Sequence, residues 1–325
     1  MWEYAQGLRA LGVEATVLTF AGSYLNYPDD YCLHLPLESS VWKRRWKLLR
    51  NFLNIVRKYN VIHFHFGGTL LPHYLDLPLL RLLNKKMVMN YWGSDVRLES
   101  IAKVHNPYYS LMKDYHQNDD VIIRNLKKVS RYVKVAVVVD HELYGYVSLF
   151  FEWTVIIPQA IDTQKLHPLF PDPNNDVPLI VHAPSHKGIK GTEYVEQAIS
   201  RLEKRYQFRF LLLHQMTNQQ VKEALKQADI VVDQLLLGVH GIFALEAMAL
   251  GKPVLCYIRD DLVGEYPLDL PIVNANPDTI ESELEELLVN PQLRTEIGKK
   301  SRRFVERHHD SRVVAQKLIE LYKSL

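Results

Sequence analysis

Short runs rich in Val, Ile, Leu and Phe alternate with longer stretches of helical periodicity along almost the whole chain, and this alternation limits the fold most. Parallel strands need a long crossover, normally a helix, so repeated alternation predicts parallel sheets covered by helices on both faces. Strands are expected at Glu14–Phe20, Val61–Phe66, Lys86–Tyr91, Lys134–Val139 and Thr154–Ile157, with helices such as Trp42–Tyr59 and Asp119–Ser130 between them. The stretch Leu166–Pro178 holds four prolines and four Asn or Asp residues, which suit neither a helix nor a central strand. Beyond it the alternation restarts, with strands at Leu179–Ala183, Phe208–His214, Ile230–Asp233 and Pro253–Tyr257. Helices are expected at Thr192–Arg205, Gln219–Gln227 and Ile242–Leu250, then over Asp278–Val289, Pro291–His308 and Ser311–Ser324.

A length of 325 residues accommodates two domains of ordinary size. The expected division is 1–165, a linker over 166–178, and 179–325, each domain an α/β doubly wound, Rossmann-like sheet with the site in the cleft between them. A doubly wound domain normally begins with a central strand, yet this chain begins with the helical pattern Trp2–Leu11. The first domain is therefore expected to lack its first strand; a different strand order is the alternative.

Charge and composition exclude several classes. A net charge of +2 gives no reason to expect nucleic acid, and no apolar run is long enough to cross a membrane. Nothing at the N-terminus reads as a signal peptide, and Cys32 and Cys256 cannot build a disulfide framework, so a reducing, cytoplasmic setting is expected. The charge is uneven: residues 1–150 carry 19 basic and 13 acidic side chains, residues 151–325 carry 20 and 24.

Much of that basic excess lies in Trp42–Lys58, which has seven cations and no acid. Trp42, Trp46, Leu49, Leu53 and Val56 recur at helical spacing. Such a helix either packs on its own sheet with a basic outer face or lies on the anionic inner face of a membrane; the two are compatible.

The segment 228–255 reads as a buried strand, a two-glycine loop, a helix beginning after Gly241, a Gly stop and another buried strand. Gly241, Ile242 and the next residues would offer N–H groups at a positive helix end, a good seat for phosphate. Glu246 sits in that helix among Ile242, Phe243, Ala244, Leu245, Ala247 and Met248. It is either exposed or, if buried, in need of a partner such as ribose hydroxyls.

This segment resembles the donor-binding signature of retaining glycosyltransferases of the GT-B fold, family four, written E-x-F-G-x-x-x-x-E-A-M-A-x-G-x-P-V. The match runs through Gly241, Glu246-Ala247-Met248-Ala249, Gly251 and Pro253-Val254. Pro158–Thr163 is similar to that family's entry to the interdomain linker, and Asn290–His308 to its closing helices, the last of which usually crosses back to the first domain. The resemblance implies a nucleotide-diphosphate sugar as donor, no other cofactor, Glu246 on the ribose, and the N–H groups of Gly241 and Ile242 on the diphosphate. The family's first glutamate, which contacts the donor sugar, falls on Gly238.

His182–Glu193 follows a buried strand and opens a helix. Lys190-Gly191 matches the family's K-G, whose lysine neutralises the diphosphate, and Lys187 stands near a missing arginine; a lysine lacks the bidentate fork of an arginine. Two solvated loop lysines are the alternative. In the first domain, Asn90–Arg97 resembles the family's H-G-S/T-D-x-R, with Trp92 at the histidine. Trp92, Asp95 and His65 are the acceptor-side candidates; Asp95 and Arg97 could equally pair with each other. His63 and His65 share one strand face, and at least one is expected to be a satisfied core histidine.

The sequence has no D-x-D, H-E-x-x-H, C-x-x-C, P-loop or G-x-G-x-x-G, so no metal site is expected. Together these features predict a metal-independent transferase moving sugar to a glycan or lipid-linked acceptor, as in polysaccharide biosynthesis, with no catalytic side chain assigned. A non-catalytic nucleotide-sugar or glycan-binding protein and a GT-B sugar-nucleotide epimerase are the rivals.

Overall fold

The computed structural model describes residues 1–20, 28–33, 41–214 and 216–325, without the side chains of 41–45. The fold is α/β, with parallel sheets throughout. Its contacts divide it into two compact units: Met1–Ser100, Gln117–Pro158 and Val314–Leu325 form one, Ile101–His116 and Gln159–Val313 the other.

The first unit runs α1 (Trp2–Ala10), β1 (Leu18–Thr19), β2 (Tyr31–Cys32), α2 (Val41–Lys58), β3 (Val61–His65), α3 (Asp76–Leu82) and β4 (Lys86–Asn90). After α4 (Glu99–His105), which spans the unit boundary, it continues with α5 (Asp119–Ser130), β5 (Val135–Val138), α6 (His141–Val147) and β6 (Trp153–Ile156). The main sheet has the order β3-β4-β5-β6, and β1 pairs with β2 in a separate two-residue ladder. The expected strand over Glu14–Phe20 thus shrinks to Leu18–Thr19, because Ala15 O and the Val17 N–H are taken by the side chains of Arg9 and Asp30. Helix α1 is tied down by Tyr4, whose hydroxyl donates to the carbonyls of Ile157 and Pro158 at 3.2 and 3.0 Å.

The second unit runs β7 (Leu179–His182), α7 (Lys187–Lys190), α8 (Thr192–Leu202), β8 (Arg209–Leu212), α9 (Asn218–Gln227), β9 (Ile230–Val232) and α10 (Ile242–Ala249). It closes with β10 (Val254–Cys256), α11 (Asp260–Val263), β11 (Val273–Asn274), α12 (Ile280–Val289) and α13 (Pro291–His308). The last helix, α14 (Ser311–Ser324), runs on into residues 314–325 of the first unit.

In the second sheet, ordered β11-β10-β9-β7-β8, successive residues feed opposite layers. Val181 and Val231 pack with Leu225, Leu245 and Phe304; Ile180, Ile230 and Val232 pack with Val195, Leu202 and Leu284. Both faces are covered, which explains why these strands are continuously apolar. The proline-rich segment has no helix or strand, and here Arg294 donates to Asn175 O and Thr295 to Pro171 O, each at 2.8 Å.

Candidate functional site

In the second unit, β7 lies between β8 and β9, so the chain leaves β7 and β9 in opposite directions across the sheet. A doubly wound sheet binds ligands at the carboxyl ends of strands at such a reversal. The loop after β7 carries Lys187 and Lys190, and the loop after β9 leads to Gly241 and α10.

Lys190 ends α7, and Gly191 follows in the left-handed region at φ +75°, where a Cβ would press on Leu235 and Leu236 at 3.1 Å. Lys187 is exposed at the start of the same short helix. The Lys190 ammonium lies 3.1 Å from Asp233 Oδ1 and also donates to Gln234 Oε1. It is therefore not a solvated loop lysine. The second Asp233 oxygen accepts the Gly241 N–H at 3.0 Å. The Gly241 amide is therefore already engaged by a carboxylate at the polar end of β9. Gly241 is the N-cap of α10, which has no side-chain cap, and Ile242 is its exposed first residue.

Glu246 is buried on α10 rather than on an exposed face, with an oxygen 3.3 Å from the Lys222 ammonium on α9. Burial raises its pKa, while Lys222 and Asn218 oppose the shift. Gly238 has φ +82°, and its Cβ position is filled by the stem of Arg259. Arg259 donates to both oxygens of Asp261, at 2.9 and 2.7 Å. His182 joins the layers: Nδ1 meets Val232 O and Nε2 meets Thr192 Oγ1, both at 2.9 Å. Burial pushes its pKa down to about 4, so it is neutral at physiological pH.

The first unit gathers the other candidates at the ends of β3 and β4. Trp92 Nε1 donates to His65 Nδ1 at 3.2 Å, and the Trp92 ring lies among Tyr4, His65 and Phe66 at centroid distances of 5.6, 5.8 and 5.7 Å. Burial, reinforced by His63, holds His65 well below the usual imidazole range. His63 stacks on it at 4.6 Å and bonds Tyr322 through Nδ1 at 2.6 Å, but its Nε2 is buried without a partner. His63 is thus only half satisfied.

Arg97 acts electrostatically on Asp95, and each also bonds other groups. Asp95 Oδ1 accepts the N–H groups of Trp92 and Gly93 at 3.0 and 2.8 Å. Arg97 makes a buried two-pronged bond to Glu142, at 2.9 and 2.6 Å. Burial raises the Asp95 pKa. Asp95 also lines a cavity of about 260 Å³ with Phe66, Gly67, Tyr74, Tyr91 and Asn125. The Tyr91 hydroxyl is buried there without a partner.

Helix α2 leaves part of its apolar stripe exposed. Trp46, Leu49 and Leu53 are 69%, 42% and 45% exposed, while Phe52, off that stripe, is buried. The side chain of Trp42, in the expected stripe, lies outside the described residues. Lys47, Arg50 and Arg57 line the same exposed groove as Trp46, Leu49 and Leu53.

Among the described residues, no three or more His, Cys, Asp or Glu side chains converge as they would around a metal ion. No described helix is long and apolar enough to cross a membrane.

Residues 176–304 match the family described as glycosyl transferases group 1. Sucrose-phosphate synthase from Thermosynechococcus elongatus is similar over 99% of this chain and 91% of its own, with 15% identity and a TM-score of 0.71. Anabaena HepE, solved with UDP and glucose, is similar over 99% and 94%, with 13% identity and a TM-score of 0.67. A trehalose-6-phosphate synthase studied for glycosyl transfer with retention is similar over 90% and 81%, with 11% identity and a TM-score of 0.57. No curated protein matches the chain significantly. This chain has the GT-B fold, and its residues 176–304 are similar to the glycosyl transferases group 1 family.

Proposed function

We propose that this chain is a retaining glycosyltransferase that moves a sugar from a nucleotide-diphosphate sugar to a glycan or lipid-linked acceptor. The observation that carries the reading is the pair of cation and helix end at the carboxyl ends of β7 and β9, Lys190 beside Gly241 and α10. Positive charge and oriented N–H groups stabilise a departing diphosphate, which is the main electrostatic need of the reaction.

In this reading Lys190 and Lys187 face the diphosphate, with the N–H groups of Gly241 and Ile242 at the helix end. Glu246 accepts the ribose hydroxyls. Retention proceeds by front-face attack: the sugar–diphosphate bond breaks as the acceptor oxygen bonds to the same face and its proton passes to the departing diphosphate, with no protein nucleophile and no metal. On the acceptor side stand His65, Trp92 and Asp95, and the unpartnered Tyr91 hydroxyl gives the cavity beside Asp95 a polar contact for a sugar hydroxyl. The exposed Trp46, Leu49 and Leu53 among Lys47, Arg50 and Arg57 suit an anionic membrane surface, so a cytoplasmic enzyme held peripherally at a membrane is the setting this favours. Gly238 favours a second reading, nucleotide-sugar binding without turnover, since no side chain reaches the donor sugar from that position.

The test is calorimetric titration of UDP, GDP, ADP and their sugars into wild type and Glu246→Ala, followed by transfer assays with the nucleotide that binds. Selective binding, weakened in the variant, supports the donor site. Transfer with retained anomeric configuration supports the enzyme, and binding without transfer or hydrolysis supports the second reading. No binding by the folded protein overturns both.

A further inference from the structure

We propose that Asp233 is a built-in counter-anion that weakens the site's hold on the diphosphate of donor and product; this rests on the donor-site reading above. Asp233 follows the last residue of β9, and its side chain is only 1% exposed. One oxygen lies 3.1 Å from the Lys190 ammonium and the other accepts the Gly241 N–H at 3.0 Å. These are the two donors an incoming phosphate would use, and a single buried carboxylate engages both. Gln234 holds Lys190 from a second side, its own amide donating to Val239 O. The two imidazoles near Asp233, His182 and His240, are each pushed down to about 4 by burial and are uncharged at neutral pH.

The charge of Lys190 is therefore already answered in the empty site. A phosphate gains less from a compensated ammonium than from a free one, because attraction to Lys190 is offset by repulsion from Asp233. Lys190 cannot give Asp233 up entirely, since a buried carboxylate left without a partner is strongly destabilising. The arrangement places a fixed ceiling on anion affinity, and its consequence for turnover is easier release of the nucleoside diphosphate product.

Asp233→Asn tests this, because the amide keeps the size of the side chain and still accepts the Gly241 N–H but releases Lys190. UDP and inorganic pyrophosphate are expected to bind roughly tenfold tighter to the variant, with a steeper loss of affinity as salt is added. A merely structural role would lower the melting temperature and loosen binding instead. Asp233→Ala carries the same expectation and serves if the Asn variant does not fold. Binding that is unchanged or weaker in a folded variant, while wild type binds UDP, overturns the counter-anion and leaves the donor site standing. If neither wild type nor variant binds any nucleotide diphosphate, the donor reading falls and takes this inference with it.

Discussion

A Cβ atom on Gly238 would lie 2.3 Å from Cγ and 2.7 Å from Cδ of Arg259, so the arginine stem occupies the space any side chain at 238 would enter. The glycine also sits at φ +82°, where other residues are strained. Restoring the family's glutamate is therefore not a neutral reversal. Gly238→Glu is expected to cost about 2–4 kcal/mol, from left-handed backbone and overpacking together. Adding Arg259→Ala should recover part of that loss. Urea denaturation of the two variants checks both statements.

Lys190→Ala leaves the Asp233 carboxylate buried beside an empty space. A loss of about 3 kcal/mol is expected, because the cost of an unpaired buried charge exceeds the worth of the pair itself. Asp233→Asn in the same background should restore most of it. Equilibrium unfolding of the single and double variants separates this penalty from any loss of nucleotide affinity.

Burial raises the folded pKa of Glu246 despite Lys222 beside it. A carboxyl whose folded pKa lies above its unfolded value contributes stability that is fully present below the unfolded value and lost as pH rises through the folded one. Wild type is therefore expected to lose stability relative to Glu246→Gln as pH rises from 4 towards neutrality. Above the raised pKa the difference should level off. Urea midpoints of the two proteins across this range test the sign.

Trp46, Leu49 and Leu53 are exposed on α2 in a groove lined by Lys47, Arg50 and Arg57. Vesicles containing a third phosphatidylglycerol are expected to sediment the protein at low salt, and neutral phosphatidylcholine vesicles are not. Trp46→Ser with Leu53→Ser should weaken that binding several-fold at any salt, since each removes buried apolar area. Arg50→Gln with Arg57→Gln should act mainly at low salt. Equal binding to both vesicle types would remove the electrostatic part of the reading.

Secondary structure was legible where periodicity is strong. Pro291–His308, Ser311–Ser324 and Asp119–Ser130 are helices with the expected bounds; a Pro marks the start of the first and an acidic first turn that of the third. The strand expected over Glu14–Phe20 is only Leu18–Thr19, since side chains of Arg9 and Asp30 take backbone groups that a ladder would have used. The apolar stripe of α2 is legible in the sequence, but which residues of the helix are covered is not: Phe52, off the stripe, is buried, while Trp46, Leu49 and Leu53 are exposed. Periodicity reports that residues share a face, but not what covers it.

The sequence by itself determined the α/β class and most of the order of strands and helices in the second unit, though not α7, α11 or β11, and it placed Lys190, Gly241 and Glu246 after two of its strands. These follow from local patterns: β-branched runs, glycines at turns and a helix start after Gly241. Only the tertiary structure decided which charges meet. Lys190 and Asp233 are 43 residues apart, and Glu246 finds Lys222 on a different helix. Residues 101–116 belong to the unit other than the one their neighbours in sequence would suggest. No local propensity encodes such pairings, because they arise from the burial of surfaces that come together only when the sheets are assembled.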